Sequence, residues 1–245
     1  MVIIDKIPDN NKINALIFDL DGTITRWKNV KEFFKKSLER LNVPYTDEAL
    51  EGLIRAMSDR ELHELITSEA DEDIYSYLLD LYIPSLREHG VSGKDLKDVM
   101  FELEASETFI NDDVAEEIEI LSSKYKLYIY TNWFTNQAKK KLDRYNLTRY
   151  FENINSSENT CVKYSKVGFL WLLNRYGLDK DKTVHIGDSE SDVVPSLNAG
   201  IRSIYIDYGI KSSDDITAEK MKLIHLSDAS VTEFKDIRKV LTKSI

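Results

Sequence analysis

Cysteine is all but absent from this chain. Cys161 stands alone among 245 residues, which excludes an internal disulfide and a cysteine-built zinc site. Positive charge is in short supply too: 33 Lys and Arg face 43 Asp and Glu, for a net charge of -10, and no basic stripe stands out. Nucleic acid is therefore not the expected partner, whereas a small anion needs only one local pocket of cations and amides. No apolar run approaches the length of a bilayer span, so no membrane partner is expected either. The opening MVIIDKIPDNNK is too short and too acidic to read as a signal peptide. Internal repeats and low-complexity tracts are missing as well. What remains is an ordinary globular composition, expected in the cytoplasm and large enough for one domain with a sizeable insert. Nothing in it fixes an oligomeric state.

Several short β-rich runs end in small or polar residues: ALIFDLD from Ala15, KLYIYTN from Lys126, TVHIGDS from Thr183 and IRSIYID from Ile201, with FENINSS from Phe151 a weaker fifth. Their apolar positions are nearly continuous rather than alternating, as in strands buried on both faces of a parallel sheet. Helical spacing falls between and after them, at Val114, Ile118 and Leu121, at Val167, Leu170 and Trp171, and at Phe234, Ile237, Val240 and Leu241. Strand alternating with helix predicts an α/β fold, a doubly wound parallel sheet with right-handed crossovers.

From Arg26 to about Glu107 the pattern is helical only. Val30, Phe33, Phe34, Leu38 and Leu41 mark one amphipathic helix; Leu50, Leu53, Ile54 and Met57 a second; Ile74, Leu78 and Leu81 a third; Leu96, Val99, Met100 and Leu103 a fourth. The expected division is a core of residues 1–23 and 108–245 with a helical insert at 24–107. An insert placed after the first strand overhangs the crevice where open α/β sheets bind ligands.

That crevice lies beyond the carboxyl ends of the strands. The first strand delivers Asp19 and Asp21, the second Thr131 and Asn132, the third Gly187, Asp188 and, four residues on, Asp192; CVKYSK between them offers Lys163 and Lys166. Three or four carboxylates in one crevice repel and do not all ionise unless a cation sits among them. An oxygen-rich set with few nitrogen ligands suits Mg²⁺. A hydroxyl, a lysine and loop amides beside such an ion describe a site for phosphoryl chemistry.

DLDGT, YTN, Lys163 and GDSESD, in that order, resemble the four motifs of the haloacid dehalogenase superfamily of phosphotransferases. The resemblance runs from Asp19 to Asp192 and on through SLNAGIRSIYI, and the helical insert is similar to the family's first cap class. It implies a Rossmann-like core and a Mg²⁺-dependent phosphomonoester hydrolase acting on a small phosphorylated metabolite: a sugar phosphate, a nucleotide or a phosphoglycolate-like acid. Asp19 would be the nucleophile that becomes an aspartyl-phosphate. Asp19, the Asp21 carbonyl and Asp188 would hold the metal, and the Asp21 carboxylate would move protons. Thr131, the Asn132 amide and Lys163 would hold the phosphate, while Asp192, supported by Gly187, would orient Lys163 or the metal shell. The family commonly has Pro after its lysine, where this chain has Tyr164. Lys163 is preferred over Lys166 because Phe169 and Gly177 then fall where the family's helix places an aromatic and its terminal glycine.

Plainer readings compete at several positions. Asp19 and Asp21 also admit a minor reading as a turn with a capping aspartate, Thr131 alone as a strand-end hydroxyl, and Asp192 a minor one as a charge on a helix dipole. His185 reads as a buried core histidine, and His63, His89 and His225 as solvated. Nothing near Cys161 suggests an activated thiol. Trp27 and Trp133 each follow a motif and are either substrate contacts or core; Arg26 is a candidate for a carboxylate or second phosphate. A phosphosugar mutase of the same fold needs a cap that grips two phosphates, and no motif for that is visible. Dehalogenation has no use for Asp21 as an acid. Receiver modules place their phosphoacceptor on a later strand than the acidic pair. A non-catalytic phosphate binder would not need the complete motif set.

Overall fold

The structure, a computed structural model, describes residues 3–4, 13–58, 76, 79–80, 83–161, 163–210 and 215–242. Strands β1 (Ile3–Ile4) and β2 (Ala15–Phe18) precede β3 (Arg26–Trp27) and helices α1 (Val30–Arg40), α2 (Asp47–Ser58), α3 (Pro84–Glu88) and α4 (Gly93–Glu107). The chain continues through β4 (Thr108–Phe109), α5 (Val114–Ser122), β5 (Lys126–Thr131), α6 (Thr135–Asp143), β6 (Phe151–Ser156) and α7 (Lys166–Tyr176). It closes with β7 (Thr183–Gly187), α8 (Glu190–Asn198), β8 (Arg202–Ile206), α9 (Ala218–Leu226), β9 (Ala229–Val231) and α10 (Asp236–Thr242).

Seven strands form one sheet in the order β1-β9-β8-β7-β2-β5-β6. All pairs are parallel except the edge pair β1–β9. The parallel interior explains the unbroken apolar runs: every residue of β2 and of β7 is buried. Phe18 carries β2 into the core, stacking on Phe234 at 5.9 Å and meeting the edge of Phe151 at 6.3 Å. The topology has a direct consequence for the site. β2 lies between β5 and β7, so the carboxyl ends of the three strands that bear the motifs are neighbours.

Helix α7 departs from the spacing read in the sequence. Its buried face is Gly168, Phe169, Leu172 and Leu173, whereas Val167 and Leu170 are exposed. Ser165 caps its start and Gly177, at φ +61°, ends it in the left-handed conformation that costs glycine least.

A second apolar cluster joins α1, α2, α3 and α4 through Phe33, Phe34, Leu50, Leu53, Leu86, Leu96 and Met100. Asn29 caps α1, accepting from Glu32 N at 3.0 Å, and a Ser92–Asp95 capping box starts α4. The expected helix over Ile74, Leu78 and Leu81, and His63, lie outside the described residues. The helical stretch is also not free of strand. β3 and β4 pair antiparallel, Arg26 with Phe109 and Trp27 with Thr108, on either side of it. Two-residue strands are too short to show alternation in a sequence. Among the described residues no helix is long and apolar enough to cross a membrane.

Candidate active site

Asp19 follows directly on β2 and is 6 % exposed. The backbone then turns tightly: Gly22 N donates to Thr25 O at 2.7 Å, and Gly22 adopts φ +95°. The turn also needs glycine for space. A Cβ at Gly22 would stand 2.1 Å from a carboxylate oxygen of Asp188, so the loop after β2 touches the loop after β7 only because a side chain is missing there. Gly187 does the same for Asp192, where a Cβ would lie 2.2 Å from the carboxyl carbon.

Lys163 is buried and donates to Asp19 Oδ1 and, at 2.6 Å, to Asp192 Oδ1. Lys166, by contrast, opens α7 and is exposed. The Lys163 loop is fixed by Asn132, whose side-chain oxygen accepts from Lys163 N at 2.7 Å. Asp192 serves two purposes. Its Oδ2 accepts from Ser189 N and Oγ, forming the capping box of α8, while Oδ1 receives Lys163 and lies 3.0 Å from His185 Nε2. His185 is fully buried, with Nδ1 2.9 Å from the Ile17 carbonyl, as a core histidine should be. His89 and His225 are exposed, and burial raises the Cys161 thiol rather than activating it.

Burial raises the Asp19 carboxyl to about 7 against the pull of Lys163, and burial with Asp19 and Asp192 nearby raises Asp188 well above the usual carboxylate range. Asp192 is the exception: burial opposes its charge, but Lys163 and His185 hold it below its ordinary value. Lys163 is raised despite burial, through Asp19 and Asp192. Asp19, Asp188 and Asp192 each present an oxygen within 4.8 Å of one another. Both Asp192 oxygens are already engaged, and Asp188 Oδ1 accepts from the Thr23 hydroxyl at 3.4 Å. Asp19 and Asp188, all-oxygen donors pressed together by Gly22 and short of compensating charge, fit a small hard cation.

Asp21 belongs to a second cluster. Lys141, from α6, donates to both Asp21 oxygens at 2.8 Å and lies 2.6 Å from Glu104 Oε1, on α4. Thr25 Oγ1 also donates to Asp21, at 2.9 Å. Lys141 and Glu104 are 1 % and 2 % exposed at their side chains. Burial raises the Glu104 carboxyl, with Lys141 opposing; Lys141 is raised, against burial, by Asp21 and Glu104. Neither residue was singled out in the sequence. The only signal was a charge at a helix position between buried neighbours, and helix periodicity does not fix which charges turn inward.

Above the strand ends lies a cavity of about 480 Å³, lined by Asp19, Asp21, Thr131, Asn132, Lys163 and Asp188 below. Trp27 and Trp133 line it too, among apolar residues of α1, α2 and α4. Arg26 does not line this cavity. Its guanidinium lies over Tyr208 at 4.7 Å and near Phe109 at 5.3 Å, and it donates to Asn111 at the side of an adjoining cavity that Asp188 also lines.

The sequence model of the haloacid dehalogenase-like hydrolases matches residues 16–206. A phosphoglycolate phosphatase of Aquifex aeolicus is 24% identical over 91% of this chain and 100% of its own, and a phosphorylated carbohydrates phosphatase of Thermotoga maritima is 27% identical over 79% and 84%. YfnB of Bacillus subtilis, described as a HAD-hydrolase and crystallised with magnesium, superposes with a TM-score of 0.68 over 95% of this chain and 100% of that one, at 19% identity. With the match covering most of its length, the chain belongs to the haloacid dehalogenase-like hydrolase family.

Proposed function

We propose that this hydrolase is a Mg²⁺-dependent phosphomonoester phosphatase that passes the phosphoryl group through Asp19. In this reading residues 1–23 and 108–245 form the catalytic core and the helices of 24–107 the cap. One observation carries the proposal: Lys163 is buried between Asp19 and Asp192, at the ends of adjacent parallel strands, beneath a cavity that Thr131 also lines.

A carboxylate oxygen of Asp19 attacks phosphorus, forming an O–P bond as the bond to the leaving alcohol breaks. Asp21, lining the same cavity, gives its proton to the departing oxygen. Water then attacks phosphorus, Asp21 takes up its proton, and Asp19 is released with inorganic phosphate. Lys163, the Thr131 hydroxyl and the Asn132 amide hold the phosphoryl oxygens through both steps. Mg²⁺, held by Asp19, Asp188 and the Asp21 carbonyl, would neutralise charge on the phosphoryl oxygens and on the carboxylates around it.

The test is chemical trapping. Acid quench of the Mg²⁺-loaded protein with labelled phosphoester should leave label on Asp19, and Asp19→Asn should fold normally, take no label and lose nearly all turnover. Full turnover in Asp19→Asn would place the nucleophile elsewhere.

A further inference from the structure

The cavity has two unlike halves. Its floor is carboxylates, a lysine and a hydroxyl; its upper wall is Trp27, Phe33, Phe34, Met100, Phe101 and Trp133. The rings are packed against one another, Trp27 to Phe33 at 4.8 Å and Phe101 to Trp133 at 6.2 Å, so the wall is a preformed aromatic surface. Glu104 interrupts it. This carboxylate lines the cavity, is 2 % exposed, and comes from the same face of α4 as Met100. Lys141 Nζ lies 2.6 Å from Oε1 and the Trp133 indole also favours its charge, which leaves further lone pairs of the carboxylate to accept a hydrogen bond. A carboxylate offers about four lone-pair sites, so this buried one can still accept an arriving N–H beside its two neighbours. Flat rings suit aromatic walls, where stacking and edge contacts add to burial. A leaving group bearing a second acid would instead face Glu104 and Asp21, and like charges in one site repel. A two-carbon alcohol would leave most of about 480 Å³ to water against apolar side chains.

We infer that the aromatic wall and Glu104 form a subsite for the leaving alcohol, built for a flat heteroaromatic ring bearing N–H donors, so that the substrates are phosphomonoesters of the nucleoside monophosphate kind rather than phosphorylated small acids. This rests on the phosphatase reading above. Glu104 Oε1 is turned to Lys141, and the remaining lone pairs of the carboxylate would take the ring donor.

A matched pair of esters isolates the subsite. Cytidine 5′-monophosphate and ribose 5-phosphate offer the same phosphorylated carbon and differ in the base, so the ratio of their kcat/KM values cancels the chemistry at phosphorus. The wild-type protein with Mg²⁺ should favour the nucleotide by about tenfold or more. In Glu104→Gln the amide oxygen stays with Lys141 and the NH₂ group faces the ring donor. The nucleotide advantage should then fall several-fold, while ribose 5-phosphate changes less. Equal turnover of the two by wild type, faster turnover of phosphoglycolate, or a ratio untouched by Glu104→Gln would each overturn the inference. The wild-type ratio decides even if the variant folds poorly. Absence of phosphate release from every ester, p-nitrophenyl phosphate included, is a different failure: it removes the phosphatase reading and this inference with it.

Discussion

Two buried lysines stand on either side of the opening carboxylates, and the regions they organise are unlike. Lys163 joins Asp19 to Asp192, between the loops at the strand ends and the first turn of α8. Lys141 joins Asp21 to Glu104, and so ties a loop of the sheet to the last turn of α4. The first cluster rests on the sheet and the start of α8, and under the proposed function it would serve the phosphoryl group whatever alcohol departs. The second spans the sheet and the helical stretch, which makes the position of the Asp21 carboxylate sensitive to where the helices sit. In the proposed mechanism, chemistry common to all substrates would be held by one lysine, and chemistry that depends on the leaving group by the other.

The largest effect that separates them should come from Asp21→Asn. Transfer from an alkyl phosphate needs protonation of a basic oxygen and should slow by roughly 10²–10⁴-fold, the usual worth of general acid catalysis. An aryl phosphate with an acidic phenol should lose far less in that step, and phosphoenzyme should then accumulate because its hydrolysis has no base. A stopped-flow burst of phenol followed by slow turnover is the expected trace. Identical losses for alkyl and aryl esters without a burst would reduce Asp21 to a structural part of the loop.

Lys141→Met comes next. It leaves Glu104 and part of Asp21 as uncompensated buried charge, and removing one partner of such a pair costs about 3–5 kcal/mol of stability. Thermal melts should show this loss, and Lys141→Met with Glu104→Leu should recover much of it. In the single variant, alkyl esters should be hurt more than aryl esters, because Asp21 has lost its anchor. A uniform loss in kcat for every ester would mean that Lys141 supports the fold only.

Metal should act with a definite sign in pH. Asp19, at about 7, and Asp188, also raised, hold protons in the metal-free protein that a cation must displace. Stabilisation by Mg²⁺, read as a Tm increase, should therefore grow from about pH 5 to about pH 8. Without metal the sign reverses. A folded carboxyl with a raised pKa binds its proton more tightly than the unfolded chain does, so its contribution is lost as pH rises from about 4, the unfolded value, through about 7. A Tm increase that is the same across this range would exclude these carboxylates as the ligands.

The smallest effect belongs to Arg26→Ala. Its guanidinium packs on rings away from the cavity, so stability should fall by about 0.5–1 kcal/mol, with the ranking of substrates unchanged in a phosphate-release panel. A changed ranking would bring Arg26 back to the leaving group.

The sequence shows the first region far better than the second. Asp19, Thr131 and Asp188 stand where apolar runs stop, and a parallel sheet gathers such ends by topology, so reading the strands places them together, while Lys163 is found by its motif spacing. Lys141 and Glu104 sit within helices, where inward and outward charges look alike until packing is known. The same ambiguity put Val167 and Leu170 on the buried face of α7, although Phe169 and Leu172 hold it. Arg26 was placed near substrate by its position after a motif, but it begins a two-residue strand whose pairing with Phe109 turns it the other way.

That small ribbon also makes the helical stretch an excursion with a single doorway. Trp27 leaves opposite Thr108, and Lys28 N donates to Glu107 O at 2.9 Å, so the outgoing and returning chains are already paired at the threshold. A short turn could bridge residues 28 and 107 without moving either strand. The helices between them would then be exchangeable as a cassette, with the sheet and its phosphoryl cluster left in place to meet whatever wall is set above it.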